Sequence, residues 1–273
     1  FMRKNTPEDS IVVEANWRDN KYFPKPLQED MERDRQVDPV KASHIWDGDY
    51  QSVTGGSYYS QLLLDCKIQG RITEVDFEPE LPVYVSWDLG IGDSMSLVLW
   101  QQTPISLRII DHYENHSQPL PHYIDWLQSK EYEGNYEIDW LPHDAKAREL
   151  GTGLTRVETM RQYRSKINPE AERRNPKVIP NHRIEDGINA VRELLPQMWF
   201  DAEKCEYLLE CLAQYREDYS SKLLTLTSKP LHDWTSHSAD AIRYMAMAYK
   251  KMKPGTKVTE PMNFAMSLNK PPT

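Results

Sequence analysis

The sequence predicts a mixed α/β domain, and three observations predict it. Short apolar runs rich in β-branched and aromatic residues fill the middle of the chain. Later segments carry apolar residues at helical spacing, each able to bury one face. A hydrophobic fraction of 39%, with 8 Trp, 15 Tyr and 5 Phe among 273 residues, supplies enough apolar bulk for one large core.

Element by element, strands are expected at 71–77, 83–88, 95–101 and 106–113, and a helix at about 119–130. Val83-Tyr-Val-Ser-Trp-Asp88 is a core strand that ends on a carboxylate, with Gly90 and Gly92 marking the turn beyond it. Ser96-Leu-Val-Leu-Trp100 returns at once, as in a hairpin. Tyr136 to Asp144 reads as another strand closed by a carboxylate, and Lys177-Val-Ile-Pro180 as a short one. Helices are expected at 184–195, 202–217 and 237–251, carrying Ile188, Val191, Leu208, Leu212, Tyr244 and Met245 at helical spacing.

The two ends differ from this middle. Residues 1–50 hold a strand candidate at Ser10–Ala15, a turn at Asp19–Pro24 and a polar helix from Leu27 to Gln36. They carry too little apolar surface to fold alone. Residues 51–60 read as a hinge, and 254–273, polar with four prolines, as a disordered tail. The expected division is therefore 1–50, 51–253 and 254–273.

Several function classes are excluded by composition. No run approaches 18 apolar residues, so no membrane-spanning helix and no membrane partner is expected. Three scattered cysteines (Cys66, Cys205, Cys211) argue against a disulfide framework and against zinc. The net charge of −9 argues against a protein whose whole surface grips nucleic acid. Yet Lys146, Arg148, Arg156, Arg161, Arg164, Lys166, Arg173, Arg174, Lys177 and Arg183 fall in one segment with only four glutamates, leaving it at +6.

Candidate chemistry rests on Asp88 and Asp144 at strand ends and Asp240 in the first turn of a helix. Ser236 or Ser238 would cap that helix, and Ala239, Ala241 and Ala246 would let it lie close to a sheet. Taken singly, Asp88 fits a turn as well as a ligand, Asp144 reads as a turn residue and Asp240 as a cap. Together they form the oxygen-rich ligand set that Mg²⁺ or Mn²⁺ prefers. Lys146 and Arg148 follow Asp144 closely enough to meet a phosphate, and Arg161, Arg164 and Lys166 extend the basic stretch. His237, three residues before Asp240, is placed either beside the metals or as a cap, and Asp186 and Asp233 as caps of the helices that follow them.

Four motifs carry a family resemblance: Trp87-Asp-Leu-Gly-Ile-Gly-Asp93, Leu141-Pro-His-Asp144, Ile184-Glu-Asp-Gly-Ile-Asn-Ala-Val-Arg192 and His232-Asp-Trp-Thr-Ser-His-Ser-Ala-Asp-Ala-Ile-Arg-Tyr244. In order and spacing, over roughly residues 60–250, they resemble the large terminase subunits of tailed bacteriophages. The resemblance implies an RNase H-like nuclease domain, a mixed central sheet flanked by helices, that cuts concatemeric double-stranded DNA during genome packaging. It implies a metal-binding catalytic triad of Asp88, Asp144 and Asp240, with Asp93 as a candidate extra ligand. It also implies two bound Mg²⁺ or Mn²⁺ ions, the small terminase subunit, the portal protein and an ATPase domain as partners, and the infected bacterial cytoplasm as location.

Residues 10–50 resemble the end of that family's ATPase domain and the link beyond it. The phosphate-binding Gly-rich loop with Lys-Ser/Thr is absent from these 273 residues, so ATP hydrolysis is not expected of them. A second reading takes Asp88-Leu-Gly-Ile-Gly-Asp-Ser94 as the first phosphate loop of an actin-like phosphotransferase. It needs a second Asp-x-Gly loop and a Gly-rich adenosine site, and only Gly187 and Gly255 follow Gly153. A third takes the chain as a non-catalytic DNA-docking module with structural carboxylates.

Overall fold

The computed structural model of the chain describes residues 16–37, 42–47, 56–90, 94–148, 153–220 and 225–252. The expected Ser10–Ala15 strand, Asp93 and the 254–273 tail lie outside these residues. The described elements run α1 (Lys25–Val37), α2 (Ser60–Ile68), β1 (Ile72–Thr73), β2 (Val83–Asp88), β3 (Ser94–Gln102) and β4 (Leu107–His116). Then come α3 (Leu120–Gln128), β5 (Tyr136–Leu141), α4 (Arg156–Gln162), β6 (Pro176–Val178) and α5 (Ile184–Leu194). The chain continues through β7 (Met198–Asp201), α6 (Glu206–Gln214), β8 (Glu217–Ser220), β9 (Thr225–Pro230) and α7 (Ser236–Lys251).

Seven strands form one sheet in the order β1-β7-β4-β3-β2-β5-β6, and β8 and β9 form a separate hairpin. The β2–β3–β4 meander is antiparallel, while β5 and β6 on one side and β7 and β1 on the other join in parallel. This mixed sheet, flanked by helices, is the RNase H-like arrangement.

Alternation along the central strands builds two cores. Val83, Val85 and Trp87 of β2 with Leu97 and Leu99 of β3 face the side covered by α3 and α4. Tyr84, Val98, Trp100 and Trp140 face α2, α5, α6 and α7. Trp100 buries its ring completely because its Nε1–H donates to Ser86 Oγ at 3.1 Å, so no polar atom is stranded. The last helix, α7, packs across β2, β3 and β5 and against α5 and α6. Ala239, Ala241, Ala246 and Ala248 are fully buried there and allow the close approach the sequence suggests.

Several boundaries differ from expectation, each for a local reason. The 71–77 strand shrinks to Ile72–Thr73, and β5 stops at Leu141 because Pro142 has no N–H for the ladder. Asp144 therefore sits on a one-turn 3₁₀ helix, His143–Lys146, beyond the strand rather than at its end. Helices do not monopolise the last third: β7 and the β8–β9 hairpin interrupt them. The three cysteines are free and buried, and no helix among the described residues is long and apolar enough to cross a membrane.

Candidate metal centre

Asp88 closes β2 where the strand leaves the core, and α7 lies over it. His237 Nδ1 stands 3.0 Å from Asp88 Oδ2, with both side chains largely buried. About one turn further along α7, Asp240 Oδ1 pairs with Arg243 Nη2 at 2.7 Å, and the arginine is 4% exposed. Burial pushes both carboxyls above the usual aspartate range. Asp240 is pushed up to about 6, with Arg243 opposing the rise and the Asp88 charge adding to it. At Asp88 the His237 hydrogen bond and the Arg243 charge oppose the rise, while the Asp144 charge adds to it.

Asp144 is exposed on its 3₁₀ turn, close enough for its charge to reach Asp88 and Tyr244. Among the described residues, no three His, Cys, Asp or Glu side chains stand close enough together to hold an ion as placed. The donor chemistry nevertheless fits a hard divalent cation. Two half-buried carboxylates lie within reach of each other's charge, a third lies on a short exposed turn nearby, and all offer oxygen. His237 engages Oδ2 of Asp88 and Arg243 engages Oδ1 of Asp240, which leaves Asp88 Oδ1 and Asp240 Oδ2 outside those contacts.

The expectations about helix caps need correction. Thr235 occupies the N-cap of α7, without a side-chain cap bond, so neither Ser236 nor Ser238 caps it. Asp240 consequently falls past the first turn and is no cap. Asp233 lies before the N-cap, where its Oδ1 accepts from Thr235 N and Oγ1, and Asp186 lies inside α5, whose N-cap is Arg183. His237 is not a cap either, because its ring turns to Asp88.

Sequence reasoning assigns no role to His112 and does not single out Glu114, yet both belong here. Asp88 pairs with Ser96 and Ser96 with Glu114, so the three form one row across β2, β3 and β4 under α7. Ser238 Oγ donates to Glu114 Oε2 at 2.6 Å and lies 2.8 Å from His112 Nε2. With Glu114 ionised and taking the single Ser238 proton, the Ser238 oxygen accepts from His112 as the Nε2–H tautomer, and Ser96 Oγ lies 3.1 Å from the same nitrogen. Burial lowers the His112 pKa to about 3 and raises that of Glu114, a rise to which the Asp88 charge also contributes.

The basic segment divides. Arg174 is buried and bidentate to Asp139, at 2.6 Å and 3.0 Å, and Trp87 Nε1 donates to the same carboxylate at 2.9 Å. Arg156 is buried with Nη1 on Leu89 O at 3.2 Å, bracing the residue after Asp88. Lys146, Arg148, Arg161, Arg164 and Lys166 are exposed, though Arg148, Arg161 and Arg164 also reach the carbonyls of Gly153, Pro176 and Pro169.

The fold and site together define an RNase H-like α/β protein with acidic residues gathered around the end of its central strand. Its structure is similar to the large terminase of a thermophilic bacteriophage. The crystal form 3 structure of that terminase aligns with a TM-score of 0.52 and 17% identity, over 85% of this chain and 54% of that one. The same protein in complex with ADP aligns at 0.52 and 18%, over 84% and 53%. This chain thus spans about half the length of those terminases, and at such identity the likeness is one of fold. No protein-family profile matches the sequence. No curated protein matches it either.

Proposed function

We propose that the chain is a metal-dependent endonuclease that cuts double-stranded, concatemeric viral DNA during genome packaging, with little sequence preference. The observation that carries this reading is that two half-buried carboxylates, Asp88 and Asp240, lie near enough at the end of the central strand for the charge of Asp88 to act on Asp240. Such a pair is costly on its own and useful beside a cation. In this reading Asp88, Asp144 and Asp240 hold Mg²⁺ or Mn²⁺, with Asp93 as a further candidate ligand. The chemistry that two such ions would supply there is activation of a water and stabilisation of the leaving oxygen of a phosphodiester.

The remaining roles belong to the chain itself. His237 orients the Asp88 carboxylate through Oδ2. Lys146, Arg148, Arg161, Arg164 and Lys166 offer exposed charge to the phosphate backbone. We place the nuclease domain at 51–253, with 1–50 as the end of an ATPase domain and its link. The small terminase subunit, the portal protein and that ATPase domain are the proposed partners, in the cytoplasm of an infected bacterium.

Supercoiled plasmid incubated with the chain tests the reading. Nicked and linear products with Mn²⁺ or Mg²⁺, none with EDTA and none from Asp88→Asn would support it. DNA retention on the chain without any cutting would instead favour the docking module.

A further inference from the structure

Arg243 is buried beside the carboxylates, although holding a cation there requires more negative charge rather than less. Its side chain is 4% exposed, Nη2 contacts Asp240 Oδ1 at 2.7 Å, and Nε is buried without a hydrogen-bond partner among the described residues. Burying a guanidinium with an unmet donor is unfavourable, so its position is held by something else. The Tyr244 ring lies 5.6 Å from the guanidinium. A second wall is Gly187 of α5.

A Cβ on Gly187 would meet Arg243 Cγ at 2.6 Å and Cδ at 2.9 Å, with His182 Nε2 at 3.3 Å. The backbone at Gly187 is helical, not left-handed, and does not itself require glycine. Glycine is a poor residue for a helix interior. What glycine supplies there is the space that the arginine stem occupies. The stem lies against α5 at that glycine, and its guanidinium reaches Asp240 Oδ1.

We infer that Gly187 and Arg243 form a positioning device for Asp240. Gly187 seats the arginine stem, and Arg243 fixes Oδ1 so that Oδ2 is left for a metal. The charge of Arg243 also reaches Asp88, so one buried cation steadies both carboxylates before a metal arrives. This inference rests on Asp240 being a metal ligand. Supporting partners of ligating groups commonly change metal affinity about 10- to 100-fold when lost.

Mn²⁺ binding, measured calorimetrically at fixed pH on the full chain, tests it alongside thermal unfolding. Gly187→Ala should bind Mn²⁺ about 10- to 100-fold more weakly while melting cooperatively near the unaltered chain. Arg243→Lys should recover more affinity than Arg243→Ala. Adding Gly187→Ala to Arg243→Ala should cost little further, because the tightest contacts of the added Cβ are with the arginine stem. A crystal structure of Gly187→Ala should show the Arg243–Asp240 contact broken. Unchanged Mn²⁺ affinity in Gly187→Ala, or fully additive losses in the double variant, would overturn the inference alone. Absence of Mn²⁺ binding by the unaltered chain would overturn the metal reading and this device with it.

Discussion

His237 Nδ1 lies 3.0 Å from Asp88 Oδ2, which ties the first turn of α7 to the end of β2 across 149 residues of sequence. The contact fixes a carboxylate that burial otherwise leaves poorly solvated. Replacing Asp88 by Asn keeps its shape and removes its charge. Asp88→Asn should therefore unfold in EDTA at or above the temperature of the unaltered chain, while plasmid cutting falls at least about 100-fold. Calorimetric scans paired with a cutting assay check both halves.

His237→Ala removes the orienting contact and leaves the Asp88 charge in place. Metal affinity should fall about 10- to 100-fold, with His237→Gln retaining part of it. The check is an Mn²⁺ titration of all three proteins at one pH.

The Arg174–Asp139 pair has 3% and 2% of its side chains exposed and shares Asp139 with Trp87. Arg174→Met strands a buried carboxylate between β5 and β6, so it should cost about 3–5 kcal/mol in urea unfolding. Adding Asp139→Asn should recover part of that loss.

His112 gives the stability curve a defined slope. Its folded-state pKa is lowered to about 3, against about 6.5 for an unfolded histidine. Between those values the unfolded chain binds the extra proton, so this group's contribution rises with pH and levels off above about 6.5. The slope approaches about 1.4 kcal/mol per pH unit in mid-window. Glu114, Tyr207 and Cys211 face the same pocket, and the raised carboxyls of Asp88, Glu114 and Asp240 act in the opposite sense, losing stability as pH rises. The difference between the unaltered chain and His112→Gln isolates the histidine. Measured by urea unfolding from pH 5 to 7.5, the variant's deficit should shrink as pH falls.

Exposed and buried arginines should separate in DNA binding. Alanine at Lys146, Arg161, Arg164 or Lys166 should each reduce the slope of log K against log salt by about 0.9 if that side chain meets a phosphate. Arg174→Met should leave the slope unchanged wherever the protein remains folded. Filter binding across a salt series reads this directly.

What the sequence makes legible follows from local physics. The β2 run, the alanine-lined last helix and the basic segment each announce themselves by pattern. β7 is four residues long, and the β8–β9 hairpin carries Glu217, Asp218 and Lys229 rather than alternating apolar residues, so neither gives a strand signal. Pro142 was the available clue that Asp144 leaves the strand. The Asp88–Ser96–Glu114 row depends on register across three strands, and the Gly187–Arg243 contact on how two helices meet. Neither is written in any single segment.

The most direct test of the central claim is anomalous diffraction from a crystal of the chain soaked in Mn²⁺. The account predicts a Mn²⁺ peak at bonding distance from carboxylate oxygens of both Asp88 and Asp240, with the Asp144 turn drawn toward it. A well-ordered crystal with no peak there, or with Mn²⁺ held only elsewhere, would contradict it.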